Sequence, residues 1–166
     1  VELDALDRAL LRAIQADARR SNRDLASAVG VAPSTSLERL RTLRRRGVIR
    51  GFTAEVDLAA LGRPVQALVA VRIRPPSRKI LEEFREWVRT LPGIVGLFVT
   101  TGDHDFLLHL AVPGTDHLYA FVIDRLTERK EVADVHTSIV YEHLETQIID
   151  PAVTSESKPS RRRNER

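Results

Sequence analysis

Leu3, Leu6, Leu10 and Ile14 recur at helical spacing with Asp7, Arg8 and Arg12 between them, predicting an amphipathic helix over residues 3–18. A second helix fits residues 22–29. Ser21 and Asp24 make an S-x-x-D cap before it, Leu25, Ala28 and Val29 face inward, and Gly30 closes it. Pro33, suited to a first helical turn, opens a third helix that runs to about Arg46 and stops at Gly47. Leu37, Leu40 and Leu43 form its predicted apolar stripe. The pattern then changes to alternation. Residues 48–57 suit a strand, or a strand pair with a bend, and residues 58–64 a short hinge. Beyond it come a β-branched run at 65–74, a helix at 77–90, strands at 94–101 and 104–112 around Gly102-Asp103, a helix at 115–129 and a strand at 132–144.

Two short helices joined by a tight turn, the second polar and Arg-rich on its outer side, make a helix-turn-helix, with residues 48–57 as its wing. Opposite the predicted stripe of the third helix lie Ser34, Thr35, Glu38, Thr42 and Arg45, with Arg39 and Arg41 on the flanks. Hydroxyls and guanidinium groups can pair with base edges in a major groove, and a Glu can accept from cytosine. The plain alternative is a three-helix unit with a solvated Arg face. Arg44, Arg45 and Arg46 can meet phosphates or complement the helix C-terminus, and the two roles are compatible.

The later order, βαββαβ, predicts a ferredoxin-like antiparallel sheet with both helices on one face. The fold class is therefore α+β, an N-terminal winged helix-turn-helix followed by this sheet domain. Expected boundaries are 1–57, a hinge at 58–64, the sheet domain at 65–149 and a basic disordered tail at 150–166. The strands are apolar on both sides, and Leu68, Ala70, Leu97, Val99, Leu108 and Leu110 are read as the side the helices leave bare. Such a face needs cover, and a second copy is the simplest one, so a homodimer is expected.

Charge sharpens the division. The net charge of +3 hides eleven Arg against six acids in residues 1–50, ten cations against fifteen acids in 51–150, and five against two in 151–166. One end suits a polyanion and the middle does not. Apolar residues at 43% and charged ones at 30% fit a globular chain, while aromatics at 5% leave the packing to aliphatics. Without cysteine there are no disulfides or thiolate metal sites, which fits a reducing cytoplasm. No apolar run suits a membrane span, and Val1–Asp4 does not resemble a secretory signal. A chain opening on Val is expected to have lost a start residue or short leader. The five histidines, 104, 109, 117, 136 and 143, are dispersed. With no nucleophile elbow, phosphate loop or H-E-x-x-H, neither enzyme chemistry nor a metal is expected.

Val29-Gly30-Val31-Ala32-Pro33-Ser34-Thr35, then Arg39, Leu43 and Gly47-Val48-Ile49, resembles the helix-turn-helix of the Lrp/AsnC (leucine-responsive, feast/famine) regulators. Thr100-Thr101-Gly102-Asp103-His104-Asp105-Phe106-Leu107-Leu108 resembles the T-G-x-x-D turn of their sensing domain, so the likeness spans residues 2 to about 148. It implies a cytoplasmic, nucleoid-associated regulator: a dimer, often assembled into octamers, binding double-stranded promoter DNA. It further implies no cofactor beyond an effector, an amino acid or related metabolite held at the interface of the sheet domains. Carried over, the effector contacts are Gly102, Asp103, His104 and Asp105, with Thr137 and Ser138 as neighbours. The alternative is an architectural protein that wraps DNA without sequence preference. Two departures stand out. Ala32 replaces the family's usual capping Ser, so the third helix is expected to slip toward Ser34 or Ser36. His104 replaces a frequent aromatic, and a histidine there is expected to make effector binding sensitive to pH.

Overall fold

The computed structural model describes residues 2–144 and 148–152. The tail expected at 150–166 lies outside the described residues from Val153 onward. The described chain forms two units, one comprising residues up to Thr53 with the segment at 148–152, the other Ala54–Leu144. The end of the expected sheet domain, Ile149, thus groups with the helical unit.

In the helical unit, α1 spans Ala5–Ala16, α2 Asn22–Val29 and α3 Pro33–Arg45. Each start has a chemical cause. The Asp4 carboxylate accepts from the Asp7 N–H at 2.8 Å and Asp7 reciprocates at 3.4 Å, closing a capping box on α1. Ser21 caps α2 by accepting from the Asp24 N–H at 3.2 Å, and Gly30, at φ +73°, ends that helix in a left-handed turn. Ala32 offers α3 no side-chain cap, yet α3 still begins at Pro33, without the expected slip. The preset φ of proline at the first turn favours that start, and Asn22 Nδ2 donates to the Pro33 carbonyl at 2.7 Å. Leu10, Ile14 and Leu25 form one small core; Leu11, Leu43 and Ile49 form another.

The expected wing is not formed. Residues 50–57 belong to no strand and are exposed. Only Val48 and Ile49 turn inward, against Leu43 and Leu11. An alternating segment becomes a strand only when another lies within hydrogen-bonding distance, and none does among the described residues.

The second unit is βαββαβ: β1 Val65–Ile73, α4 Arg78–Arg89, β2 Ile94–Val99, β3 Phe106–Val112, α5 Thr115–Phe121 and β4 Val132–Val140. All pairings are antiparallel and the order across the sheet is β2-β3-β1-β4. After α5 the helix widens into one π-helical turn, Val122–Leu126, where the sequence pattern predicts a regular continuation. Ala67, Val69, Val71 and Ile73 of β1 are fully buried and meet Phe84, Val88, Phe121 and Leu126 from the two helices. Gly93, at φ +92°, turns the chain into β2 so closely that a Cβ would stand 2.9 Å from the Ala111 carbonyl oxygen.

The other face of this sheet carries Gln66, Leu68, Ala70 and Arg72 of β1, Leu107, His109 and Ala111 of β3, and Gly96 and Phe98 of β2. Asp134, His136, Ser138 and Val140 of β4 complete it. This corrects the sequence assignment. Leu68 and Ala70 are on the open face, but Leu108 and Leu110 are fully buried under the helices, and Leu97 packs against the same core. Val99, opposite Phe106, shares their side of the sheet but is exposed at its end. With apolar residues on both faces, sequence shows alternation but not which parity the helices choose.

Candidate DNA-binding and effector sites

The inward side of α3 is set by Ser36 and Leu43, both fully buried, with Leu40 partly buried between them. Their spacing of four and three residues defines a stripe rotated from the one predicted, because Leu37 is exposed. Serine reads as polar in a pattern, yet Ser36 sits inside with its hydroxyl unpaired among the described residues. At 100° per residue the outward ridge is then Ser34, Glu38, Arg41 and Arg45, all exposed. Exposed Thr35 and half-buried Thr42 border it on one side. Leu37 and Arg44, absent from the predicted face, border it on the other. Arg45 Nη2 donates to Thr42 Oγ1 at 2.9 Å, which links the ridge to its border.

Arg39 does not belong to this surface. Its guanidinium turns toward the start of α1, 2.5 Å from the Asp4 carboxylate and 3.4 Å from that of Asp7. Asp7 is buried, so Arg39 supplies the charge that a buried carboxylate requires. The Asp7 N–H, and then the Arg39 guanidinium, hold the Asp4 carboxyl below its ordinary value, and Asp4 raises that of Arg39. Because the folded-state value of Asp4 is the lower one, its stabilisation is complete at neutral pH. It is lost on acidification through and below the usual carboxylate range. Arg39→Ala is expected to lower the melting temperature of the helical unit. Arg41→Ala should leave it nearly unchanged, as for a surface residue without partners among the described residues, and weaken DNA binding instead. Thermal unfolding of both variants, beside DNA titrations, checks the contrast.

The turn between β2 and β3 is longer than the two residues expected, running from Thr100 to Asp105. The Thr100 N–H donates to the Asp105 carbonyl at 2.9 Å, and the Thr100 hydroxyl to the His104 carbonyl at 2.7 Å. Gly102, at φ +110°, leaves open space beside it, and Asp103 is nearly fully exposed, 3.7 Å from Arg72. Asp105 is committed to structure: Oδ2 accepts from the Ile73 N–H at 2.7 Å and lies 3.6 Å from Arg74. His104 Nε2 lies 3.6 Å from Asp134 Oδ2, and its ring is 6.4 Å from that of His136. Arg72, Asp134 and His136 are therefore neighbours of the turn that sequence reasoning missed. They come from β1 and β4, and only the strand order brings them there.

Thr137 and Ser138 do not join this cluster. Ser138 pairs with Leu68 and Thr137 with Val69, whereas the turn meets the other end of β1 at Val71 and Arg72. Four residues of strand separate Ser138 from Asp134, roughly 13 Å. Successive strand residues also point oppositely, so Ser138 is on the open face, while Thr137 lines a cleft with Tyr119 and Val122. Of the candidate set, Gly102, Asp103, His104 and Asp105 come together.

Residues 3–44 match the AsnC-type helix-turn-helix domain, and residues 66–147 match the Lrp/AsnC ligand binding domain. The chain belongs to the Lrp/AsnC family. Among its relatives is the HTH-type transcriptional regulator AldR of Mycolicibacterium smegmatis, 40% identical over 143 residues, which cover 86% of this chain and 84% of AldR. The transcriptional regulator AzlB of Bacillus subtilis is 34% identical, covering 84% of this chain and 89% of AzlB. Among solved structures, a Neisseria meningitidis regulator in complex with L-Met superposes with a TM-score of 0.80 at 29% identity, covering 87% of this chain and 94% of that one. This Lrp/AsnC chain is thus a transcriptional regulator with a DNA-binding and a ligand-binding domain. No helix among the described residues is long and apolar enough to cross a membrane.

Proposed function

We propose that this regulator binds promoter DNA sequence-specifically in the cytoplasm, acts as a homodimer paired through the open faces of its sheets, and takes a small amino acid as effector. The observation that carries the reading is the outward ridge Ser34–Glu38–Arg41–Arg45. It presents a hydroxyl, a carboxylate and two guanidinium groups at successive turns of one helix. These groups suit base edges and phosphates together.

Pairing is supported by the open sheet face, where Leu68, Ala70, Phe98 and Leu107 have no helix over them. For the effector, the support is the mixed charge around the turn, with Asp103, His104, Asp134, Arg72 and Arg74 close together. An α-ammonium and an α-carboxylate can both find partners there. That one relative was solved with L-Met agrees with this ligand class.

The test uses DNA titrations against a specific promoter and a random duplex at stated salt. Ser34→Ala and Thr35→Ala are expected to change which sites are preferred. Arg45→Ala should weaken all sites and reduce the salt slope by about 1. If all three variants weaken every duplex alike, the chain wraps DNA without reading it and the proposal fails. Screening the common amino acids for a melting-temperature rise tests the effector, and no rise for any of them would overturn that part.

A further inference from the structure

Among the described residues of the sheet unit three arginines are half-buried: Arg63, Arg72 and Arg129. Arg72 lies 3.7 Å from the Asp103 carboxylate, and Arg129 is paired with Glu131. Arg63 has no acidic partner among the described residues. Its guanidinium is held by a backbone carbonyl instead, with Nη1 donating to Ala111 at 2.9 Å. The Arg63 N–H donates to the Leu58 carbonyl at 2.9 Å, which fixes the backbone just before β1. Gly93 leaves the guanidinium its room, since a Cβ there would stand 3.1 Å from Nη1. A guanidinium carries five N–H donors, so one bond to a carbonyl leaves most of the fork, and all of the charge, unanswered.

Arg63 opens on a cleft of about 470 Å³ between the end of β3, the segment after α4, and α5 with its π-helical turn. Leu91, Val112 and Phe121, all buried, form its apolar wall. Asp124 and Arg125, exposed and adjacent in sequence, offset each other at the rim, and the imidazole of His117 also lines the cleft. Arg63 is then the fixed, unbalanced cation. An apolar wall facing a few placed polar groups is the usual form of a small-molecule site. We propose that this cleft is a second ligand site, which takes a small carboxylate with an apolar body. The carboxylate pairs with the planar fork of Arg63, and the hydrocarbon lies against Leu91, Val112 and Phe121. This site goes beyond the effector turn and is separate from it. The turn meets β1 at Val71, where the Asp105 N–H donates to the Val71 carbonyl at 3.0 Å, whereas Arg63 precedes the other end of that strand at Val65. Six residues of strand separate Val71 from Val65, roughly 20 Å.

The test titrates the full chain with 4-methylpentanoate, with its uncharged amide 4-methylpentanamide and with acetate, following leucine and valine methyl resonances by NMR. The branched acid should saturate and shift the methyls of Leu91 and Val112, while those of Val99 and Leu107, toward the turn, stay in place. The amide lacks the charge and acetate lacks the hydrocarbon, so each should bind at least about tenfold more weakly. Arg63→Gln still offers a donor to the Ala111 carbonyl but no charge, and should weaken the branched acid by a similar factor. The comparison of the three ligands on the unsubstituted chain does not depend on how that variant folds. Equal affinity for acid and amide would remove Arg63 from the site, and equal affinity for acetate would remove the apolar wall; either overturns the proposal. Shifts confined to Val99 and Leu107 would place the acid at the turn, overturning the second site while leaving the effector reading intact. The absence of any saturable shift up to about 10 mM acid would overturn it as well.

Discussion

Phe98→Asp is expected to convert the protein to a monomer and to weaken promoter binding by at least about a hundredfold, the usual scale of avidity between two linked sites. Phe98 stands on the open sheet face opposite Leu107 and is 55% exposed. In a two-fold pair each such position occurs twice, so one substitution places two carboxylates in the contact. Each must shed water without a partner, the least favourable change an apolar interface can undergo. Losing the pair also separates the two recognition helices, and each half-site must then be bound alone. Light scattering at micromolar concentration, beside DNA titration, reads both effects. An unchanged mass would remove this face as the pairing surface.

Phe84→Ala is expected to destabilise the sheet unit by about 3–5 kcal/mol, the usual range for a large aromatic deleted from a core. Phe84 is fully buried, with its ring centroid 4.9 Å from that of Phe106 and 5.5 Å from that of Trp87. The Arg129 guanidinium lies over the Trp87 ring at 4.3 Å and is paired with Glu131, so the cluster has a charged lid. Such a cluster cannot collapse onto the vacated space without breaking these contacts. Since a domain is stable by only about 5–15 kcal/mol, the loss is a large share of the whole. Denaturant unfolding followed by Trp87 fluorescence should show an earlier midpoint, while circular dichroism of the helical unit keeps its own transition. A midpoint shift of under about 1 kcal/mol would show the site to be malleable.

Local chemistry made much of this fold legible. Ser21 and Gly30 mark the ends of α2 because each supplies a group the helix terminus lacks. The order of the later elements follows from alternation broken at Pro75, Pro92 and Gly102. Contacts between distant residues were less visible. Arg39 reads as one more outward cation until α1 brings Asp4 and Asp7 beside it. Ser36 reads as polar, although a small side chain fits where α3 approaches its neighbours. Residues 48–57 alternate well enough for a strand, but alternation supplies no partner. At the hairpin, sequence marked Gly102 through Asp105, whereas Arg72, Asp134 and His136 arrive from strands far along the chain. Asp105 is a further case, for its carboxylate serves the Ile73 amide rather than open solvent. Thr137 and Ser138 are adjacent in sequence and therefore on opposite faces of a strand, so no single surface of one copy could have used both.

The division of α3 between two sides has a consequence for how such a regulator changes its target. Ser36, Arg39, Leu40 and Leu43 are fixed by packing and by the acids of α1, so substitution there is tested first as damage to the fold. Ser34, Glu38, Arg41 and Arg45 are under no such constraint. On the reading proposed above, operator preference can therefore be rewritten through these exposed positions and Thr35 while the inner rail stays untouched. Transplanting those exposed side chains, rather than the whole helix, is then the smallest exchange that tests that reading between two regulators.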